Sequence, residues 1–251
     1  MPGPVLITGM SGLIGTAVQK AMDVEYEVRA LNRRDVEGVP TTQADLADLD
    51  AIRTAFDGVG TVIHLAAKAG ERFTWEELRD TNVTGTRNVY QAAADAGCRR
   101  VIFASSGATV SGYEQIEPYK SLVEARYEDA PNSWQLITAD MPTRPTGVYG
   151  STKVWGEALG RHYADTTDLS VICLRIGFVN REDRPSRPRD YSIWCSQRDI
   201  VDLIVKCINV DESIEYDVLF GTSINRYGYR DLSRARQIAG FDPQDSADDF
   251  R

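Results

Sequence analysis

Tyr149-Gly150-Ser151-Thr152-Lys153 sets a phenol and an ammonium four residues apart, a spacing that places both on one face of a helix. A phenol accepts a proton near neutrality only if its ordinary pKa of about 10 falls by a few units, at roughly 1.36 kcal/mol per unit. A lysine charge beside it can supply that. The pair alone is common; its context gives it meaning. Ala104-Ser105-Ser106 ends an apolar run, VIFA at 101–104, that reads as a strand. Ligands of parallel sheets bind at the carboxyl ends of strands, so Ser106 is placed to hydrogen-bond a reacting oxygen. The plainer reading of Ser106 is a turn residue before Gly107.

A second chemical signal lies at the start of the chain. Val5 to Gly15 reads VLITGMSGLIG, a TGxxGxxG pattern between an apolar strand and a helix. Gly9 permits a tight turn, Gly12 lets the backbone approach a pyrophosphate, and Gly15 lets helix and strand pack closely. The helix N-terminus then faces the phosphates with its partial positive charge. The spacing therefore predicts a bound dinucleotide. Leu31-Asn32-Arg33-Arg34 has no carboxylate to grip a ribose 2′-hydroxyl, and Arg33 could pair with a 2′-phosphate, which leans toward NADP over NAD. Otherwise this is a solvated basic turn. Asp45, before Leu46, is placed either to receive an adenine amino group or to cap the next helix.

These residues require a frame. Strands are expected at 5–7, 26–31, 61–65, 101–104, 171–176 and 218–220. Helices are expected at 13–22, 50–56, 81–96 (closed by Gly97), 151–163 and 198–209. Such alternation, with continuous apolar strands, predicts a parallel sheet covered on both faces, an α/β fold. Residues 112–146 carry four prolines and many charges and read as a long irregular insertion. Residues 181–190 (REDRPSRPRD) read as a charged loop, and the acidic tail from Asp242 as a solvated end or a docking segment.

Composition narrows the function classes. The chain has 251 residues, 42% of them hydrophobic, which suits one large α/β domain and excludes collagen-like or disordered chains. A net charge of -9 argues against nucleic acid or an anionic membrane as partner. The basic residues are 23 Arg and 5 Lys. Cysteines at 98, 173, 195 and 207 match no zinc or CxxC spacing and, with only two histidines, predict no metal. Reduced buried thiols and no secretory signal give a cytoplasmic expectation.

Taken together, TGMSGLIG, Asp45-Leu46, HLAA at 64–67, Asn82 in TNVTGT, FASS at 103–106 and YGSTK at 149–153 resemble the extended short-chain dehydrogenases/reductases, the NAD-dependent epimerase/dehydratase family. The resemblance covers nearly the whole chain. It implies a Rossmann doubly wound parallel sheet in a single domain, 1–251, with 1–177 mainly the cofactor core and 178–251 mainly a small C-terminal substrate cap. It implies Ser106, Tyr149 and Lys153 as the catalytic set, with Asn82 supporting Lys153 through backbone and water, and His64 structural. For the cofactor it implies Gly9, Ser11, Gly12, Leu13 and Ile14 at the phosphates, and Asn32, Arg33, Asp45 and Leu46 around the adenosine. Leu65, Ala66, Ala67, Asn82, Tyr149, Lys153 and Ile176 follow toward the reacting end.

In the second half, LRIG at 174–177, Trp194 and FDPQDSADDF at 241–250 are similar to uronate dehydrogenases and related archaeal sugar and sugar-phosphate dehydrogenases. Those oxidise the anomeric carbon of a pyranose to a lactone. The resemblance implies Ser106, Gly107, Ala108, Tyr149, Phe178 and Arg189 at the sugar, and no metal. The departures are specific. Asn-His usually follows the serine, whereas Gly107-Ala108 stands here. Phe178 replaces a substrate-contacting serine, and Asn32 replaces an acidic residue. Arg189, with Arg181, Arg184 and Arg187 in the same loop, suits a carboxylate, phosphate or sulfonate. The expectation is an NAD(P)-dependent dehydrogenase of an acidic sugar, a homodimer or higher homo-oligomer with helices 81–96 and 151–163 as the candidate dimer interface. The alternatives are a sugar or nucleotide-sugar epimerase/dehydratase, or a non-catalytic NADP-sensing regulator.

Overall fold

The computed structural model describes residues 3–22 and 26–251. The glycine-ended strand β1 (Val5–Thr8) leads into α1 (Leu13–Met22), and β2 (Val28–Asn32) and β3 (Thr41–Gln43) follow. A short α2 (Leu49–Ile52) continues as a 3₁₀ turn, and then comes β4 (Thr61–His64). The helix expected at 81–96 starts earlier. It runs as α3 (Trp75–Leu78), a π-helical stretch at Arg79–Gly85, and α4 (Thr86–Asp95). A capping box between Thr74 and Glu77 fixes that early start, since it satisfies first-turn N–H groups.

The second half contains β5 (Arg100–Ser106), a 3₁₀ stretch at Gly107–Gln115, α5 (Tyr119–Val123), α6 (Val148–Thr166) and β6 (Ser170–Ile176). It ends with α7 (Asp190–Ile193), α8 (Gln197–Ile208), β7 (Tyr216–Gly221) and α9 (Ser233–Ala239). The 112–146 segment is thus partly ordered by local helix. Helix α6 begins three residues before the expected 151, which sets Tyr149 inside its first turn. Strand β2 begins at Val28, not Tyr26, because Val28 is the residue opposite Val5.

Among the described residues the seven strands are all parallel, in the order β3-β2-β1-β4-β5-β6-β7. The strand order reverses between β1 and β4, which opens a crevice at their carboxyl ends. Alternate residues of each strand feed opposite faces. Ile102, Ile172 and Leu174 pack with α1 and α8, while Val101, Phe103, Val171 and Cys173 pack under α4 and α6. Each such side chain fully buried stabilises the fold by about 1.5–3 kcal/mol. Strand β7 and helix α8 complete the sheet and one covering layer from the C-terminal part of the chain.

Two buried polar groups tie late segments to this frame. Arg100 donates to the carbonyls of Cys207, Ile208 and Val210, satisfying the C-terminal end of α8. Asp199 accepts from the backbone N–H groups of Gln244 and Asp245. The acidic tail therefore docks on its own chain, and its Phe250 ring packs edge-on against Trp194. Among the described residues no helix is long and apolar enough to cross a membrane.

Candidate active site

A cleft of about 370 Å³ opens where the strand order reverses. Gly9, Ser11, Gly12, Asn32, Arg33, Asp45 and Leu46 line it, with Leu65, Ala66 and Ala67 on the far wall. Gly9 has φ +70°, and a Cβ there would lie 2.7 Å from the Ala66 Cα, so only glycine fits. This is the backbone cradle a dinucleotide pyrophosphate requires, at the N-terminus of α1, where Leu13 and Ile14 form the first turn. The residues present fit the group.

At the adenosine end, Asn32 donates to Ser11 Oγ at 3.1 Å and to the Arg34 carbonyl at 2.8 Å. Asn32 thus braces the glycine loop, and the guanidinium-bearing Arg33 and Arg34 stay exposed at the mouth. Asp45 accepts from the Ala47 N–H, whereas Asp48 is the residue that caps α2, so the capping alternative for Asp45 does not hold. Arg34, Lys68 and Thr81 also line the cleft and carry no motif that marks them in the sequence.

Three reactive groups converge where β5 ends. Lys153 is buried and donates from Nζ to the Ala104 carbonyl at 2.8 Å, with Nζ 6.0 Å from the centre of the Tyr149 ring. Burial lowers its ammonium from the usual 10.5 to about 8. Ser106 Oγ accepts from the Ala108 N–H at 3.1 Å and lies close enough to the Tyr149 phenol to act on its ionisation. Burial raises the phenol above its usual value, the Ser106 hydrogen bond pulls it back, and the charge of Glu71 raises it further. The downward pull expected from Lys153 is not among the effects on Tyr149 in this arrangement.

Asn82 lies in the π-helical stretch. Its Oδ1 accepts from the Lys68 N–H at 2.8 Å, and its Nδ2 donates to the Lys68 carbonyl and to Thr152 Oγ1. The side chain therefore stitches the β4 loop to the residue before Lys153 and makes no direct bond to Lys153. His64 is buried with Nδ1 on Thr8 Oγ1 at 2.7 Å and Nε2 on Thr86 Oγ1 at 3.1 Å, a bracing role. Ile176 ends β6 beside Ser106.

The residues named for the sugar are arranged differently from one another. Gly107 is buried directly after Ser106, and Ala108 donates its N–H to Ser106 Oγ. Phe178 bridges to Trp194, with the Arg187 guanidinium 5.2 Å over its ring. Arg181 and Arg184 are exposed. Arg189 gives both arms of its guanidinium to Glu114, at 2.5 and 2.8 Å, and Tyr229 donates to the same carboxylate at 2.5 Å. Glu114 lies in the 112–146 segment, where nothing in the sequence pairs it with Arg189. Among the described residues no cluster of three or more His, Cys, Asp or Glu could hold a metal ion.

A doubly wound sheet with a glycine cradle at its switch point defines a nucleotide-binding protein of the Rossmann class. The chain belongs to the NAD dependent epimerase/dehydratase family, whose model matches residues 5–180. It is 34% identical to the NAD-dependent glucose-6-phosphate dehydrogenase of Haloferax volcanii, over 100% of this chain and 96% of that one. It is 29% identical to the L-arabinose 1-dehydrogenase (NAD(P)(+)) of the same organism, over 97% of each. The crystal structure of a mutant uronate dehydrogenase from Agrobacterium tumefaciens complexed with NAD superimposes with a TM-score of 0.82. That match has 29% identity and covers 99% of this chain and 87% of that one.

Proposed function

We propose that this chain is an NAD(P)-dependent dehydrogenase that oxidises the anomeric hydroxyl of a pyranose bearing an acidic group to the corresponding lactone. The convergence of Ser106, Tyr149 and Lys153 beside the glycine-lined cleft carries this reading. Relatives named as glucose-6-phosphate, arabinose and uronate dehydrogenases support it along the full chain.

Gly9, Ser11, Gly12 and the first turn of α1, Leu13 and Ile14, would hold the pyrophosphate. Asp45 and Leu46 would receive the adenine, Leu65, Ala66 and Ala67 would wall the path, and Ile176 would close the nicotinamide end. Arg33 and Arg34 at the mouth accept a 2′-phosphate and Asn32 does not repel one, so NADP is used alongside NAD. A bound dinucleotide would supply the acceptor for the hydride that leaves C1 of the sugar. Tyr149 Oη, as phenolate, takes the proton of the C1 hydroxyl, and Ser106 Oγ holds that oxygen as it becomes a carbonyl. The Lys153 ammonium favours the phenolate once the two are aligned and binds the nicotinamide ribose. Asn82 holds the Lys68 loop and Thr152, the residue before Lys153.

The experiment is a rate assay with NAD+ or NADP+ and a panel of uronates, sugar phosphates, sulfonated sugars and neutral hexoses. Reduced cofactor with an acidic sugar is expected, and none with any sugar refutes the reading. Tyr149→Phe abolishes turnover and keeps dinucleotide binding. The same preparation is expected to be a homodimer through α4 and α6, read by light scattering. Its four buried, unpaired cysteines suit a reducing compartment such as the cytoplasm.

A further inference from the structure

One buried cation at this site has no assigned partner. Arg230 is 5% exposed, and its Nε and Nη1 are buried without a hydrogen-bond partner among the described residues. Its guanidinium lies against the residue that follows Ser106. A Cβ built on Gly107 would come within 2.2–2.3 Å of the Arg230 terminal nitrogens and central carbon. Gly107 leaves open the volume that a side chain would take, and the arginine fills it.

The backbone fixes that position. Ile137 donates to the Tyr229 carbonyl at 2.7 Å and accepts from the Asp231 N–H at 3.0 Å, so the 112–146 segment grips the chain on both sides of Arg230. The Tyr229 ring lies 5.6 Å from the guanidinium carbon. The neighbouring carboxylate, Glu114, is already engaged by both arms of Arg189 and by the Tyr229 hydroxyl. Arg189 is therefore neutralised, while Arg230 keeps open donors. A buried guanidinium with unfilled donors is costly by itself, and a planar oxyanion satisfies it.

We propose that Arg230, rather than Arg189, receives the anionic phosphate or carboxylate substituent of the sugar oxidised at Ser106 and Tyr149. The assignment rests on the dehydrogenase reading for the identity of the ligand as a sugar. Glu114 sets the charge of the pocket: it cancels one arginine and leaves the other for the substrate. Glycine at 107 is the matching half of the device, since any side chain there would displace the guanidinium.

The test compares wild type with Arg230→Met, using glucose 6-phosphate, glucuronate and glucose as substrates and inorganic phosphate as the binding probe. The ratio of kcat/KM for charged over neutral sugar is expected to fall at least tenfold in Arg230→Met, chiefly through KM. Phosphate binding, read by calorimetry, is expected to weaken by a similar factor, and Arg230→Lys to restore part of both. The charged sugar that loses more identifies the anion as phosphate or carboxylate. Because the variant removes an unpaired buried charge, its melting temperature is expected to rise. An unchanged ratio with unchanged phosphate binding overturns the assignment, as does a lower melting temperature with an unchanged ratio, which makes the arginine structural. If Arg230→Met does not fold, Gly107→Ala carries the same expectation by displacing the guanidinium. Should wild type oxidise no sugar, the dehydrogenase reading fails, and phosphate calorimetry on the two proteins still decides the role of Arg230.

Discussion

The carboxylate of Glu71 accepts from the backbone N–H of Tyr149 with both oxygens, at 3.1 and 3.3 Å, across 78 positions of sequence. A loop after β4 thus caps the helix that carries the candidate base. The chain passes so close that a Cβ on Gly147 would lie 2.2 Å from that carboxylate. The same contact puts a negative charge near the phenol, which opposes its ionisation.

Glu71→Gln separates these two effects. The amide oxygen still accepts at the helix start, but the charge is gone, so Tyr149 ionises more easily. The rise of kcat/KM with pH in the oxidation direction is expected to move to lower pH by a few tenths of a unit. Glu71→Ala loses the cap as well, and melting is expected to report a loss of about 0.5–2 kcal/mol. A pH profile that stays in place for Glu71→Gln would show that the carboxylate is a cap and nothing more.

Lys153 makes a prediction of opposite sign for activity and stability. Its folded value of about 8 lies below the ordinary 10.5, so the unfolded chain keeps its proton over a range where the folded protein releases it. Stability from this group therefore rises with pH between those values and is lowest where lysine is charged in both states. At pH 7 the buried ammonium costs about 3 kcal/mol. Lys153→Met is expected to lose turnover by about 100-fold or more and to melt higher than wild type at pH 7. The melting difference is expected to shrink as pH rises through that window; a variant that melts lower at neutral pH contradicts the burial argument.

The extent to which this site was legible in the sequence follows the range of the interactions. The glycine loop, the Tyr149–Lys153 pair and the serine at the end of β5 are local patterns on single elements, and periodicity finds them. The start of α6 moved because a distant residue supplies the cap: the helix begins at Val148 because Glu71 reaches it, and no window around 148 contains that carboxylate, whereas the early start of α3 rests on a local capping box, Thr74 with Glu77, that the sequence itself carries. The π-helical stretch at 79–85, which turns Asn82 inward, has the composition of an ordinary helix. Arg230 and Glu114 escaped for the same reason. Their meaning depends on Ile137 pairing with Tyr229 and Asp231, and on Arg189 closing against Glu114, contacts between segments that composition does not join.

His64 gives a pH signature free of catalysis. Burial, with a smaller push from the Lys153 charge, lowers its imidazole from 6.5 to about 3. The unfolded chain therefore binds a proton below 6.5 that the folded protein refuses until about 3. Stability is expected to fall as pH drops through that window, by at most about 1.4 kcal/mol per pH unit from this group, and to be unaffected by it above 6.5. Urea unfolding from pH 4 to pH 7, compared with His64→Gln, isolates the slope. Equal slopes in the two proteins would assign the acid sensitivity elsewhere.

Beneath Ser106, Arg175 and Glu157 form a buried pair, with Nε and Nη2 on the two carboxylate oxygens at 2.9 and 2.8 Å. Ser105 adds a third contact to Glu157 Oε1 at 2.5 Å. The pair joins β6, α6 and the end of β5, so it sets the depth at which Ser106 is presented. Both side chains are less than a tenth exposed. Removing one partner strands a buried charge, and each of Glu157→Gln and Arg175→Met is expected to cost about 3–5 kcal/mol in urea unfolding. Replacing both, as in Glu157→Leu with Arg175→Met, is expected to recover most of that loss, because no charge is left unpaired. The single-variant losses would then sum to far more than the double-variant loss. The double variant is also expected to show a lower kcat at normal fold stability, since the Ser105 hydroxyl loses its acceptor and the end of β5 is no longer held. Additive losses would mean that the two residues stabilise the fold independently, and an unchanged kcat would mean that Ser106 is positioned by its own 3₁₀ turn.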